Sequence, residues 1–143
     1  IWHKPNPMPE SVRDRCTKSH EYIFLLSKNQ NYYFDVDAIK EPTRRKRSVW
    51  DITKKPYRGA HFAVYPPELI EPCIRAGSQE GDCVLDPFMG SGTTAMVAKS
   101  LGRDYIGCEL HEDYGNLIQQ RIGEYHPVEE VSQEATVNIL DLI

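Results

Sequence analysis

Residues 86–94 read Asp-Pro-Phe-Met-Gly-Ser-Gly-Thr-Thr, with an acid at one end, two glycines in the middle and two hydroxyls at the other. The stretch follows the short apolar run Cys83, Val84, Leu85 and leads into a helix-forming run over 95–101. A short apolar run bounded by turn residues predicts a buried parallel strand. Glycines let the backbone turn sharply and come close to a ligand. A helix starting just beyond them offers its unpaired first-turn N–H groups. The chemistry on offer is the gripping of a ligand by strand, glycine turn and helix. Two phosphate-binding patterns fail to fit it. No lysine follows Gly92, as a P-loop requires, and the third position of a G-x-G-x-x-G fingerprint is Ala95.

The acids narrow the ligand. Asp86 at a strand end would repel a pyrophosphate but suits a ligand carrying an amino group. The next predicted strand, over 104–109, ends in Glu109, 23 positions after Asp86. That is close to the roughly 20-residue spacing at which a carboxylate meets a ribose hydroxyl. An acid on each of two successive strands fits an amino-acid-bearing nucleoside such as S-adenosylmethionine.

Six stretches carry a family resemblance: Trp-His-Lys-Pro-Asn-Pro-Met-Pro-Glu at 2–10, His-Glu-Tyr-Ile-Phe-Leu-Leu-Ser-Lys at 20–28, Tyr-Tyr-Phe-Asp at 32–35, Arg-Ser-Val-Trp at 47–50, Gly-Ala-His-Phe-Ala at 59–63 and the glycine stretch at 86–94. In number and order the chain resembles the C-terminal part of an amino-methylating DNA methyltransferase, the class that makes N6-methyladenine or N4-methylcytosine. Within that class it is similar to the order in which the recognition segment precedes the cofactor motif. The resemblance implies an α/β, partial Rossmann-like S-adenosylmethionine-dependent methyltransferase fold over 1–126, with a target-recognition segment at 38–58, a cofactor-binding part at 59–126 and an acidic tail at 127–143. It implies cofactor contacts from Asp86, Pro87, Phe88, Gly90, Ser91, Gly92, Thr93, Thr94 and Glu109, with Phe62 and Pro66 second in rank. It also implies double-stranded DNA as partner.

One family feature is missing. The catalytic signature of the class is an acid, amide or serine followed by Pro-Pro and an aromatic. The Pro-Pro of this chain stands in Tyr65-Pro66-Pro67-Glu68, with the aromatic on the wrong side. In this motif order the signature would lie before Trp2, and the chain opens on Ile1. The expectation is a C-terminal piece, inactive alone. A half of a split enzyme and a non-catalytic cofactor- or DNA-binding module stay open as alternatives, with a nicotinamide enzyme a distant fourth. An incomplete sheet is expected to expose a hydrophobic edge and to favour self-association or pairing with the catalytic half.

Charge supports nucleic acid as a partner. The net charge is -4, but residues 40–58 hold eight basic side chains against two acids, while 104–143 hold nine acids against Arg121 alone. Such asymmetry points one surface at a polyanion. Arg44, Arg45, Lys46, Arg47 and Arg58 are the candidate DNA contacts, and in the resembled family Lys4, Asn6 and Arg13 lie near the base pocket. Trp50 is read as a packing group, and for the segment of Trp2 and Met8 a packing role with solvated charges stays open beside the DNA-contact reading.

The elements that must position these residues follow from pattern. Residues 1–15, with three prolines, predict an extended loop; 21–27 and 32–35 predict a hairpin, and 49–52 a short strand. Leu69, Ile70, Cys73 and Ile74 recur at helical spacing after Pro66 and Pro67, with Pro72 near the first turn or at a kink and Gly77 as C-cap. A helix over 94–101 ends at Gly102, and a further helix spans 111–125 with Tyr114, Leu117, Ile118, Arg121 and Ile122 on one face. With 40% hydrophobic and 27% charged residues in 143, one globular domain fits. No apolar run reaches membrane-spanning length and no signal peptide opens the chain, so the cytoplasm of a bacterial or phage-infected cell is expected. Cys16, Cys73, Cys83 and Cys108 show no C-x-x-C pairing, the histidines no metal-ligand spacing, and Cys83 and Cys108 are expected as core hydrophobes within buried strands.

Overall fold

The computed structural model describes residues 1–54, 64–111 and 113–122. Its elements in chain order are β1 (Trp2–His3), β2 (His20–Glu21), a 3-10 turn (Asp37–Ile39), β3 (Trp50–Asp51), α1 (Pro67–Gly77), β4 (Cys83–Asp86), α2 (Thr93–Ser100), β5 (Asp104–Gly107) and α3 (Asp113–Arg121).

The part that builds the site is β4–α2–β5. The two strands pair in parallel, Cys83 opposite Asp104 through Asp86 opposite Gly107. Parallel neighbours need a crossover, and α2 supplies it. Six successive α2 residues, Thr93 to Ala98, are buried, because α1 packs on one side, α3 on another and the sheet beneath. Ile74, Met96, Val97, Ala98 and Leu101 form one core cluster, and Met89, Ala95 and Ile118 a second. Alanines at 95 and 98 let these elements approach α2 from several directions. The helix ends with a left-handed glycine: Gly102 (φ +73°) donates to Lys99 O, and Arg103 N–H reaches back to Ala98 O.

The sheet is covered on one face. Val84 and Tyr105 pack against the core, while Leu85 and Ile106, paired across the strands, are 64% and 58% exposed. The expected burial of Cys83 and Cys108 is therefore corrected: both are exposed. Cys83 shares the bare face with Leu85, and Cys108 lies just past β5. The apolar pattern of a parallel strand anticipates cover on both faces, and among the described residues only one face has it.

The N-terminal region is held by a small sheet. β1 pairs antiparallel with β2 and parallel with β3, setting Trp2 opposite both Glu21 and Trp50. Trp2 is buried, with its indole N–H on Ile52 O at 2.7 Å. The predicted hairpin does not form. The strand at 20–21 stops at Glu21, and 22–35 contains no strand. Tyr22, Phe24, Leu25 and Leu26 stand exposed, because an apolar run becomes a strand only where another backbone meets its N–H and C=O groups.

Helix α1 starts at Pro67 as expected, with Pro66 as N-cap. Pro72 sits mid-helix, beyond the first turn, and Ser78 replaces Gly77 as C-cap. The Ser78 N–H and hydroxyl both donate to Ile74 O, at 3.1 and 2.7 Å, so this end needs no left-handed residue. Residues 123–125 of the predicted last helix, and the tail at 127–143, lie outside the described residues.

Two glycines in the loop differ in kind from Gly77. Gly92 has φ +84°, and a Cβ there would meet Ile118 Cγ1 at 2.8 Å, whereas one at Gly77 would meet nothing within 4 Å. Gly90 has φ +53°, and a Cβ there would make only an ordinary contact with Phe88 O at 3.9 Å. The variant Gly92→Ala should lose roughly 2–4 kcal/mol by combined backbone strain and overpacking, and Gly77→Ala should be neutral or slightly stabilising. Urea-unfolding midpoints of the two variants against the parent chain check this.

Candidate cofactor-binding site

Asp86 ends β4, and Glu109 lies two residues beyond β5. The parallel register sets Asp86 opposite Gly107, so both acids emerge at the same end of the sheet, with the glycine loop running between them. This is the end at which open α/β sheets bind ligands.

The loop is fixed by its own polar groups. Asp86 Oδ1 accepts the Phe88 N–H at 2.9 Å, and Oδ2 accepts the Thr94 hydroxyl at 2.5 Å. Tyr65 brings its phenol within 2.5 Å of Thr94 Oγ1 and 3.4 Å of Asp86 Oδ2. Glu109 Oε2 accepts the Gly90 N–H at 2.7 Å, and Oε1 the His111 N–H at 2.9 Å. Met89 N–H donates to Cys108 O, and Met89 is buried against Ala95 and Ile118. From beneath, the buried Arg121 donates through Nη1 to both the Ser91 carbonyl (2.7 Å) and the Ser91 hydroxyl (2.5 Å).

Each candidate cofactor contact among the described residues has a place in the fold. Asp86, Gly90 and Glu109 line the loop mouth. Pro87 and Phe88 are exposed, Phe88 at 88%. Gly92 is the N-cap of α2. Ser91 is buried, with its carbonyl and hydroxyl accepting from Arg121, and so anchors the loop. Thr93 is buried, and its hydroxyl has no partner among the described residues. Thr94 is buried on Asp86. Pro66 is buried as the N-cap of α1, and Phe62 lies outside the described residues. Tyr65 and Arg121 were not among the predicted contacts. A phenol next to a Pro-Pro pair, and a cation on an otherwise apolar helix face, are the signals that could have found them.

Each carboxylate oxygen can accept two hydrogens, so Asp86 and Glu109 keep acceptor capacity after their internal bonds. The acceptor set therefore fits a ligand with an ammonium group and ribose hydroxyls, and among the described residues no cationic side chain is seen to offer itself to a phosphate at the mouth.

The basic segment builds a different surface. Glu41 and Arg44 form an ion pair with a reciprocal backbone bridge, and the Arg44 hydrogen bond holds the Glu41 carboxyl below the usual range. Lys46 sits 5.1 Å over the Trp50 ring, whose N–H donates to Arg47 O. Together Arg44, Lys46, Arg47 and Trp50 line a cleft of about 680 Å³. Arg45 and Arg47 are exposed, as is Arg13; Arg58 lies outside the described residues. Of two expected DNA contacts, Lys4 is turned inward and Asn6 stays exposed. Lys4 is 7% exposed, paired with Glu21 and 4.5 Å over the Trp2 ring, and burial and then the Lys54 charge lower its pKa. Asn6 closes a reciprocal pair of bonds with the Lys54 backbone.

The backbone bond from His111, and after it that from Gly90, lower the Glu109 pKa below its ordinary 4.5. A carboxylate whose pKa is depressed by folding stabilises the fold above its unfolded pKa and loses that contribution as pH falls through the folded value. Glu109→Gln should therefore unfold at lower urea than the parent at pH 7, with the difference closing as pH is taken below 4.5. A pH series of paired unfolding curves measures it.

The sequence and structure relatives show the family and the fold. A DNA methylase family model matches residues 1–120. The Type II methyltransferase M.SmaI of Serratia marcescens is 53% identical over 129 residues, which make up 85% of this chain and 44% of that protein. The M1.HpyAVI–SAM complex matches at 31% identity and TM-score 0.64, over 85% of this chain and 58% of that one. The cytosine-N4-specific PvuII DNA methyltransferase, at 23% identity, shares the fold with TM-score 0.75 over 84% of this chain and 48% of its own. The chain spans less than half the length of M.SmaI and of two further curated Type II methyltransferases that it matches. The β4–α2–β5 unit is thus part of the Rossmann-like fold of S-adenosylmethionine-dependent methyltransferases, and the chain belongs to the DNA methylase family of the N6/N4 type.

Proposed function

We propose that this chain is the cofactor-binding and DNA-facing part of a site-specific DNA methyltransferase that moves a methyl group from S-adenosylmethionine to an exocyclic amine, adenine N6 or cytosine N4. The observation that carries the reading is the convergence of Asp86 and Glu109 on one glycine loop at the same sheet end. When bound, S-adenosylmethionine supplies an electrophilic sulfonium methyl. Asp86 would meet its ammonium group and Glu109 the ribose hydroxyls, while the loop and the first turn of α2 hold the rest. That is a positioning task, worth several kcal/mol through orientation alone.

The amine of adenine or cytosine is a weak nucleophile, because its lone pair is delocalised into the ring. Activating it needs hydrogen-bond acceptors on the amine and stacking of the flipped-out base, the work of the Pro-Pro signature that these residues do not include. The chain is read as the positioning part, inactive alone. The Type II enzymes it resembles are bacterial, and a cytoplasmic setting with double-stranded DNA as substrate completes the reading. Among the described residues no helix is long and apolar enough to cross a membrane.

For DNA, Arg44, Arg45, Lys46 and Arg47 neutralise phosphates, and arginines reaching base edges add specificity. The double variant Arg45→Ala/Arg47→Ala should weaken binding evenly across duplex sequences and lower the slope of log affinity against log salt by about 2, as read by fluorescence anisotropy. For the cofactor, Asp86→Ala and Glu109→Ala should each abolish binding of S-adenosylmethionine by calorimetry. Unchanged affinity in both would end the reading.

A further inference from the structure

We propose that Tyr65, acting through Thr94, is a positioning residue that aims the Asp86 carboxylate at the ammonium group of the bound nucleoside. The inference rests on the cofactor reading above and adds a residue to it.

The Thr94 hydroxyl has one hydrogen, and it goes to Asp86 Oδ2 at 2.5 Å. The Tyr65 phenol oxygen lies 2.5 Å from Thr94 Oγ1, so the hydrogen in that contact comes from Tyr65. The result is a directed chain, phenol to hydroxyl to carboxylate, in which each bond polarises the next. Phe88 N–H takes Oδ1 from the other side. With both oxygens tied, the carboxylate cannot turn, and its remaining lone pairs keep one direction. Burial raises the Tyr65 pKa, so the phenol stays a donor at neutral pH.

The hydroxyl is separable from the ring. Tyr65 stands one residue before Pro66, the N-cap of α1, and is half-buried there. A phenylalanine would fill the same volume and lose only the donated hydrogen. Thr94 would then keep its bond to Asp86 while losing the partner that fixes its own rotation.

The test uses this chain, titrated by calorimetry with two ligands: S-adenosylmethionine, and 5′-methylthioadenosine, which has the same nucleoside but no amino-acid ammonium. The expected result for Tyr65→Phe is a loss of about fivefold to tenfold in affinity for S-adenosylmethionine with little change for 5′-methylthioadenosine. Thr94→Val should behave alike, and the double variant should lose no more than the larger single loss, because the two hydroxyls form one chain. Equal losses on both ligands would assign Tyr65 a packing role and overturn the proposal. Unchanged affinity in Tyr65→Phe, with Asp86→Ala still abolishing binding, would also overturn it and leave the cofactor reading standing. Unchanged affinity in Asp86→Ala would remove that reading and the proposal with it.

Discussion

The bond from Gly90 N–H to the Glu109 carboxylate ties together the two strand ends on which everything else rests. A parallel pair of four-residue strands gives little grip at its tips, and the loop between Asp86 and α2 must cross from one strand toward the other. Glu109 draws the middle of that loop across to β5. Met89 N–H on Cys108 O fixes the same crossing one residue earlier. Arg121 holds Ser91 from below, and Gly92 lets the chain turn into α2 against Ile118. A loop tied by side chains from β5, α3 and its own acid is preorganised, so a ligand entering it does not have to supply the ordering entropy. This is why residues 91–94 are buried although they belong to a loop and a helix start.

The same arrangement explains the one-sided sheet. α1, α2 and α3 gather on the face carrying Val84 and Tyr105, and leave Leu85 and Ile106 to water. Parallel sheets are ordinarily covered on both faces. Leu85 and Ile106 lie side by side across the paired strands, and Phe24, Leu25 and Leu26 are exposed in the N-terminal region. The residues are hydrophobic in a sequence sense and solvent-facing in the structure, and both facts hold because cover, unlike strand formation, depends on chain elements distant in sequence.

The same division separates what the sequence made legible from what it did not. The unit 83–107 could be read almost to the residue, since apolar strand, glycine turn, helix and glycine stop are all local signals. The left-handed Gly102 and the proline start of α1 belong to the same class. The hairpin at 21–35 failed because a strand is a property of two segments, and the pattern reports one. Lys4 is expected at DNA from residue type and a family position, and its burial against Glu21 and Trp2 comes from the pairing of β1 with β2, which joins segments distant in sequence. Tyr65 and Arg121 escaped for the reverse reason. Each acts on a residue 29 or 30 positions away, a distance at which sequence spacing carries no signal.

The charges at the loop also bear on which ligand suits it. Asp86 and Glu109 receive hydrogens from neutral donors, namely backbone N–H groups and hydroxyls, so their negative charge is oriented without being cancelled. Beside Asp86 lies the N-terminus of α2, where the helix dipole places partial positive charge. A pyrophosphate would profit from the second feature and be repelled by the first. An amino acid in zwitterionic form carries one charge of each sign a few ångströms apart, and is matched by both. On the proposed reading, that pairing selects the amino-acid end of the cofactor, and leaves Glu109 to recognise the sugar. The acid at the strand end, which disqualifies the loop as a phosphate site, is then the feature that makes it a methyl-donor site.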